Sequence, residues 1–258
     1  MVDLFYREYG EAGKQPLVIM HGLLGSSRNW QAAAQALGEA FHVFCLDLRN
    51  HGESPWAAPH SYAAMAEDVT GFIEKRLTAR PILIGHSMGG KLAMKLACEQ
   101  PGLLRKLVVV DIVPKKNPTA HDPEFEGMRA VELSSLKSRS DAEAALEPYV
   151  KSWSMRKFLV TNLVRDEETN AFRWTINLDA IQDSLRELER TSLSDEQRYD
   201  GDSLFVMGGR SRFFSKEDIP LIRRHFPASG IEVIAESGHN PHFECRERFV
   251  EIIKEFAE

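Results

Sequence analysis

Pro81-Ile82-Leu83-Ile84-Gly85-His86-Ser87-Met88-Gly89-Gly90-Lys91 is the stretch on which the reading of this chain turns. A short apolar run ends in G-x-S-x-G, and a helical pattern from Met88 to Glu99 follows at once. A serine on so sharp a strand-to-helix turn holds a strained backbone, and side chains two positions before or after it would collide with the neighbouring chain. Gly85 and Gly89 remove those side chains, and Gly90 lets the helix pack close to the sheet. The outcome is a hydroxyl above the C-terminal edge of a sheet, with the Met88 amide beside it at a helix N-terminus. Ser87 is the candidate nucleophile. A glycine-rich turn with an incidental serine would not need the strand before it and the helix after it.

On either side the same alternation continues. Pro16 to Met20, His42 to Leu46, Pro81 to Ile84 and Leu107 to Val110 read as buried strands, separated by helical spacing over Trp30 to Ala40 and Ser61 to Leu77. Strands apolar on both faces and alternating with helices indicate a parallel sheet covered by helices. After Pro114 the rhythm changes: charged helical stretches such as Asp141 to Lys151 and Leu178 to Glu189 appear, and strand-like runs become scarce. Leu204 to Met207 and Ile231 to Ala235 restore the strands, and Phe249 to Phe256 supplies a last amphipathic helix. The expected organisation is an α/β core of residues 1–113 and 197–258, interrupted by a mostly helical insertion over 114–196.

A serine hydroxyl needs a base near neutral pH. Of nine histidines, His239 follows the last strand in Glu236-Ser237-Gly238-His239 and so reaches the same sheet edge. His242 lies deeper in the next segment and is the weaker candidate. His42, His60, His121 and His225 read as surface residues, and His21 and His51 as loop residues with a structural or oxyanion-related part. An acid must then fix the imidazole tautomer. Asp111 ends the strand Val108-Val109-Val110 and gives the chain order Ser, Asp, His. Its rivals are Asp218, beyond a loop where Ser211 stands at the place an acid would be wanted, and Asp179 in the insertion. His21-Gly22-Leu23-Leu24-Gly25 has the form of a loop that lends a backbone amide to an oxyanion hole, so Leu23 and Met88 N–H are the expected donors.

The chain has 258 residues, of which 38 are acidic and 32 basic, a net charge of −6 that argues against a nucleic-acid partner. At 43% hydrophobic and 27% charged it is an ordinary globular composition able to bury a core without staples. The three cysteines, Cys45, Cys98 and Cys245, form no C-x-x-C pair, so no zinc site or disulfide framework is expected. No leader pattern and no run of 18 to 20 apolar residues is visible, and the expected compartment is the cytoplasm.

Asp47-Leu48-Arg49-Asn50-His51-Gly52-Glu53-Ser54 is similar to the D-x-R-G-H-G-x-S segment of α/β-hydrolase-fold proteins, with Asn50 where glycine is usual. Together with Gly85 to Lys91, Val110-Asp111-Ile112-Val113-Pro114 and Gly208-Gly209-Arg210-Ser211, it resembles the serine esterases of that superfamily, and within them the group of the bacterial YbfF esterase and its mitochondrial ABHD11 relatives. The resemblance spans almost the whole chain. It implies the α/β-hydrolase fold, a mostly parallel sheet with helices on both faces and a helical cap. It also implies a carboxylesterase or thioesterase that works through a Ser-His-Asp triad without metal or organic cofactor. Asp111 is favoured as the acid because Ser211 departs from the commoner pattern. The expected partner is a small-molecule acyl ester or thioester, with acyl-CoA, amide or lactone as variants on the same triad. A non-catalytic receptor on this fold is the reading from another class. His21, Trp153, Phe158, Phe213 and Phe214 are the candidate lining of an acyl pocket. Lys115-Lys116, Arg156-Lys157 and Arg223-Arg224 read as solvated faces.

Overall fold

The computed structural model describes residues 1–117 and 121–258. The chain runs through β1 (Tyr6–Tyr9), β2 (Pro16–Met20), α1 (Gln31–Leu37), β3 (His42–Leu46), α2 (Tyr62–Arg76), β4 (Ile82–His86), α3 (Met88–Glu99) and β5 (Lys106–Val110). The stretch that follows carries α4 (Asp122–Ala130), α5 (Arg139–Leu146), α6 (Trp153–Leu159), β6 (Leu163–Arg165), β7 (Phe172–Trp174) and α7 (Leu178–Leu188). The strand–helix pattern then resumes with β8 (Ser203–Gly208), α8 (Ile219–His225), β9 (Ser229–Ile234), α9 (Pro241–Glu244) and α10 (Arg246–Ala257).

Seven strands form one sheet in the order β1-β3-β2-β4-β5-β8-β9, parallel throughout except for β1. Alternate residues of each strand go to opposite faces, as the two-residue period of a strand requires. Val18, Met20, Leu83, Leu107 and Val109 pack on α2 and α3 on one side. Leu17, Ile19, Ile82, Ile84 and Val108 pack on α1 and α10 on the other. The strand order reverses between β2 and β4, and a crevice outside the C-terminal strand ends at such a reversal is where open α/β sheets bind ligands. Ser87 lies at that point.

Three strands go beyond the sequence reading. β1 reads Tyr-Arg-Glu-Tyr, too polar to look like a strand, yet it pairs antiparallel with β3 at the sheet edge. Polar residues suit an edge, because they discourage pairing with another chain. β6 and β7, of three residues each, form an antiparallel hairpin in a stretch that reads as helical. Its Phe172 and Trp174 join Phe125, Met128, Leu146, Leu159 and Ile181 in a third core belonging mostly to this inserted stretch.

Buried polar ties hold the loops at the sheet edge. Asp47 accepts hydrogen bonds from the N–H groups of Ser27 (2.6 Å) and Glu53 (2.8 Å). Arg49 forks onto Asp68 of α2, Nε to Oδ2 at 2.6 Å and Nη2 to Oδ1 at 2.8 Å, and also donates to the carbonyl of Pro59 (2.7 Å). Both side chains are buried. Losing one partner of such a pair leaves a charge without compensation, so Asp68→Ala should lower stability by about 3–5 kcal/mol. Urea unfolding checks this: the midpoint should drop at an unchanged m-value, and a midpoint equal to the parent's would contradict it.

Candidate active site

The turn from β4 into α3 is closed so tightly that a Cβ on Gly85 would strike the carbonyl of Gly89. A Cβ on Gly89 would come within 2.5 Å of the Met20 carbonyl oxygen at the end of β2. Ser87 sits between them at φ 52° and ψ −113°, half-buried, with its N–H donating to the Val110 carbonyl at 3.0 Å. Met88 opens α3, and an N–H in the first turn of a helix has no intrahelical acceptor. The loop after β2 comes close from the other side: a Cβ on Gly22 would be 3.2 Å from that of Ser87. Gly25 N–H donates to the Gly22 carbonyl at 3.1 Å, closing a turn with Leu23 and Leu24 at its centre.

Asp111 follows β5 at φ 49° and is fully buried. Its Oδ1 accepts from Gly208 N–H at 2.8 Å, and its Oδ2 accepts from the Ser211 hydroxyl and from His239 Nδ1 at 2.7 Å. With Nδ1 carrying the proton toward the carboxylate, Nε2 is left with its lone pair. Ser211 thus stands beside Asp111 as a donor where the commoner pattern has an acid. The His239 ring lies 4.2 Å from that of Phe213, centroid to centroid. The His239 carbonyl accepts from Nε2 of His86 at 2.8 Å, which ties the histidine loop to the residue preceding Ser87. The structure therefore brings Ser87, Asp111, His239 and the Leu23 and Met88 amides to one sheet edge.

The rivals are held by other partners. Asp179 is paired with Arg129 at 2.5 Å, its side chain 85% exposed. Asp218 takes Lys115 Nζ at 2.7 Å and the N–H of Ser215 at 2.9 Å. His242 is buried and stacked on Trp30 at 3.9 Å.

Several expectations need correction. His21 is buried, and neither ring nitrogen is available to line a pocket: Nδ1 donates to the Gly22 carbonyl (2.8 Å) and Nε2 accepts from Leu48 N–H (3.0 Å). It braces the loop after β2 against the loop after β3. Trp153 is 62% exposed, with Lys157 Nζ over its ring, and Phe158 packs against the inserted core. Phe213 and Phe214 are both half-buried against the main core, and Phe213 also contacts the His239 ring. His60 and His225 are buried rather than on the surface. Arg156 is also buried, donating to the carbonyls of Val150 (3.0 Å) and Lys151 (3.1 Å).

Sequence reasoning missed three ties. His86, the variable position of G-x-S-x-G, gave no sign that it reaches His239. Lys91 of α3 is buried and donates to the carbonyls of Glu189 (3.0 Å) and Arg190 (2.7 Å) at the end of α7. Burial pushes its pKa down to about 8. Asn50, at φ 67°, exchanges bonds of 2.9 Å with both backbone groups of Ala57 and accepts from Asn177 at the start of α7, Nδ2 to Oδ1 at 3.1 Å. Its place as the departure from a usual glycine was the one available signal. Among the described residues no cluster of three metal-ligating side chains occurs, and no helix is long and apolar enough to cross a membrane.

The imidazoles around the site share a property. Burial first of all lowers the pKa of His21 to about 4 and of His51, His60 and His86 to about 3. The unfolded chain binds protons at these positions below about pH 6.5, and the folded chain only at lower pH, so their contribution to stability is complete above that value and is lost as the pH falls. Stability should decline from about pH 6.5 downward, each histidine adding up to about 1.4 kcal/mol per pH unit. Urea unfolding between about pH 7 and pH 5 measures the slope. His60→Gln should flatten it, and an identical slope in that variant would remove His60 from the account.

A family model described as the alpha/beta hydrolase fold matches residues 15–244. The sn-1-specific diacylglycerol lipase ABHD11 of Xenopus tropicalis is 39% identical over 267 residues, covering 100% of this chain and 83% of that protein. Esterase YbfF of Escherichia coli (strain K12) is 29% identical over 242 residues, covering 93% and 92%. Among solved structures, a marine microorganism esterase superposes with a TM-score of 0.94 at 35% identity, covering 99% and 100% of the two chains.

Proposed function

The chain belongs to the alpha/beta hydrolase fold family and is a hydrolase of the esterase and lipase kind, and from that premise we propose that it cleaves carboxylic esters of small or medium acyl groups through Ser87, His239 and Asp111. The observation that carries the reading is the short bond from His239 Nδ1 to the buried Asp111 carboxylate, at 2.7 Å. In the neutral imidazole it puts the proton on Nδ1 and leaves the Nε2 lone pair free for a general base.

In this reading Nε2 of His239 takes the Ser87 proton as Oγ attacks the acyl carbon. The oxyanion settles against the Leu23 and Met88 N–H groups, and collapse expels the alcohol, protonated by His239. Water, deprotonated by the same Nε2, then releases the acid from the acyl-enzyme. Asp111 stabilises the imidazolium at each stage, and the Gly208 and Ser211 donors keep its carboxylate aimed. Residues 114–196 act as a cap over this edge, with Phe213 against the imidazole as one wall of the acyl site. Thioesters are the second substrate class, open to the same triad. The three free cysteines, Cys45 buried among them, support a reducing, cytoplasmic setting.

Turnover of p-nitrophenyl acetate and butyrate tests the nucleophile. Ser87→Ala should lose several orders of magnitude in kcat while keeping the parent's circular dichroism, and a fluorophosphonate probe should label the parent and spare the variant. Turnover and labelling surviving in Ser87→Ala would refute the proposal. The acid is tested separately. Asp111→Asn should lower kcat by about 10³ to 10⁴, whereas Asp179→Asn and Asp218→Asn should stay near the parent. A folded Asp111→Asn variant with parental kcat would exclude Asp111.

A further inference from the structure

Leu24 directly follows the residue whose N–H faces the developing oxyanion, and its backbone is held at φ 57°. It occupies the third position of the turn closed by Gly25 N–H and the Gly22 carbonyl. A positive φ at that position belongs to the type II arrangement and favours glycine or asparagine. For leucine it costs on the order of 1–3 kcal/mol and persists only where the surroundings impose it. The relaxed alternative, with Leu24 at negative φ, turns the peptide joining Leu23 and Leu24 by roughly half a revolution. That peptide carries the Leu23 carbonyl and the Leu24 N–H; the Leu23 N–H lies on the Gly22–Leu23 peptide that opens the same turn, so its aim depends on how firmly the turn is held in place.

The turn is anchored from the inserted stretch. Asn162, 1% exposed, donates from Nδ2 to the Leu24 carbonyl at 2.8 Å and to the Leu159 carbonyl at 3.3 Å. Two carbonyl partners fix which end of the amide is nitrogen. The Asn162 backbone is itself held, its carbonyl accepting from Thr175 N–H (2.9 Å) and Oγ1 (3.0 Å). The Leu24 side chain is buried in the same core as Phe125, Met128 and Leu159. Next door, Asn29 Nδ2 reaches Thr161 Oγ1 at 3.4 Å.

We propose that Asn162 is a positioning residue for the oxyanion site: through the Leu24 carbonyl, the cap holds the turn that aims the Leu23 N–H. The inference rests on the serine-hydrolase reading above and adds that the cap does more than cover the pocket, because the transition-state donor is correctly set only while the cap is docked. The tie at the far end of the cap, from the Tyr62 hydroxyl to the Leu188 carbonyl at 3.0 Å, touches no residue of that turn and serves as the control.

Removing an oxyanion donor outright costs about 10²–10³ in kcat, so a donor present but misaimed should cost roughly tenfold to a hundredfold. Asn162→Leu keeps the shape and removes the donor. Its kcat for p-nitrophenyl butyrate should fall within that range with KM changed less than about threefold, and an alkyl trifluoromethyl ketone, which becomes a tetrahedral oxyanion on Ser87, should lose affinity by the same factor. Tyr62→Phe should leave both near the parent. If Asn162→Leu does not fold, Asn162→Ala makes the same comparison. A folded Asn162 variant with parental kcat and inhibitor affinity would overturn the proposal. So would an equal loss in Tyr62→Phe, which would assign the effect to cap attachment in general. Failure of the underlying reading is seen separately, as turnover that survives in Ser87→Ala.

Discussion

The turn from β4 into α3 holds Ser87 at φ 52° and ψ −113°, a conformation that survives only because the chain around it allows no other. The Gly85 and Gly89 Cα atoms are packed against backbone carbonyls, one within the turn and one at the end of β2. The Ser87 N–H is spent on Val110 at the end of β5. Strands on both sides of β4 thus pin the turn, and the parallel register of β2, β4 and β5 fixes their ends at one level. The hydroxyl's position follows from sheet packing rather than from any bond of its own.

The same sheet edge concentrates the remaining backbone strain. Leu24, Asn50, Ser87 and Asp111 all have positive φ, and each follows a strand of the parallel sheet; Asn170, in the β6–β7 turn, is the other non-glycine of this kind among the described residues. Such residues persist where neighbours over-determine them, and they gather at functional sites. Each of the four has an identifiable restraint: Asn162 for Leu24, Ala57 and Asn177 for Asn50, Val110 for Ser87, and Val206, which accepts the Asp111 N–H at 2.9 Å, for Asp111. Two of those restraints come from the inserted stretch, so core and insertion share the work of shaping the edge.

The legible parts of this molecule are those written locally. Ser87 sits in a five-residue pattern, and Asp111 and His239 are each found by asking which polar residue ends an apolar run. The strands from Pro16 to Met20 and from His42 to Leu46 were readable to the residue because all but His42 of their residues are buried. β1 was not, since an edge strand needs no apolar pattern. α6 reversed its expected faces: with seven residues and a buried Arg156 that satisfies two carbonyls, it turns the arginine inward and leaves Trp153 exposed. Hydropathy cannot anticipate that, because the arginine's gain is geometric.

Ties across more than a hundred positions leave no trace in composition or spacing. Asn162 is one asparagine between the apolar pairs Leu159-Val160 and Leu163-Val164, 138 residues from the carbonyl it holds, and Leu24 reads as an ordinary loop leucine until its backbone angle is known. The sequence difference between a cap that merely encloses the site and one that shapes it is therefore small. A single side-chain amide suffices, provided its nitrogen is oriented by a second carbonyl and its backbone is anchored by Thr175. Since the anchored amide acts on the turn and not on the substrate, the acyl-binding walls of the cap can vary in shape without disturbing the donor that stabilises the transition state.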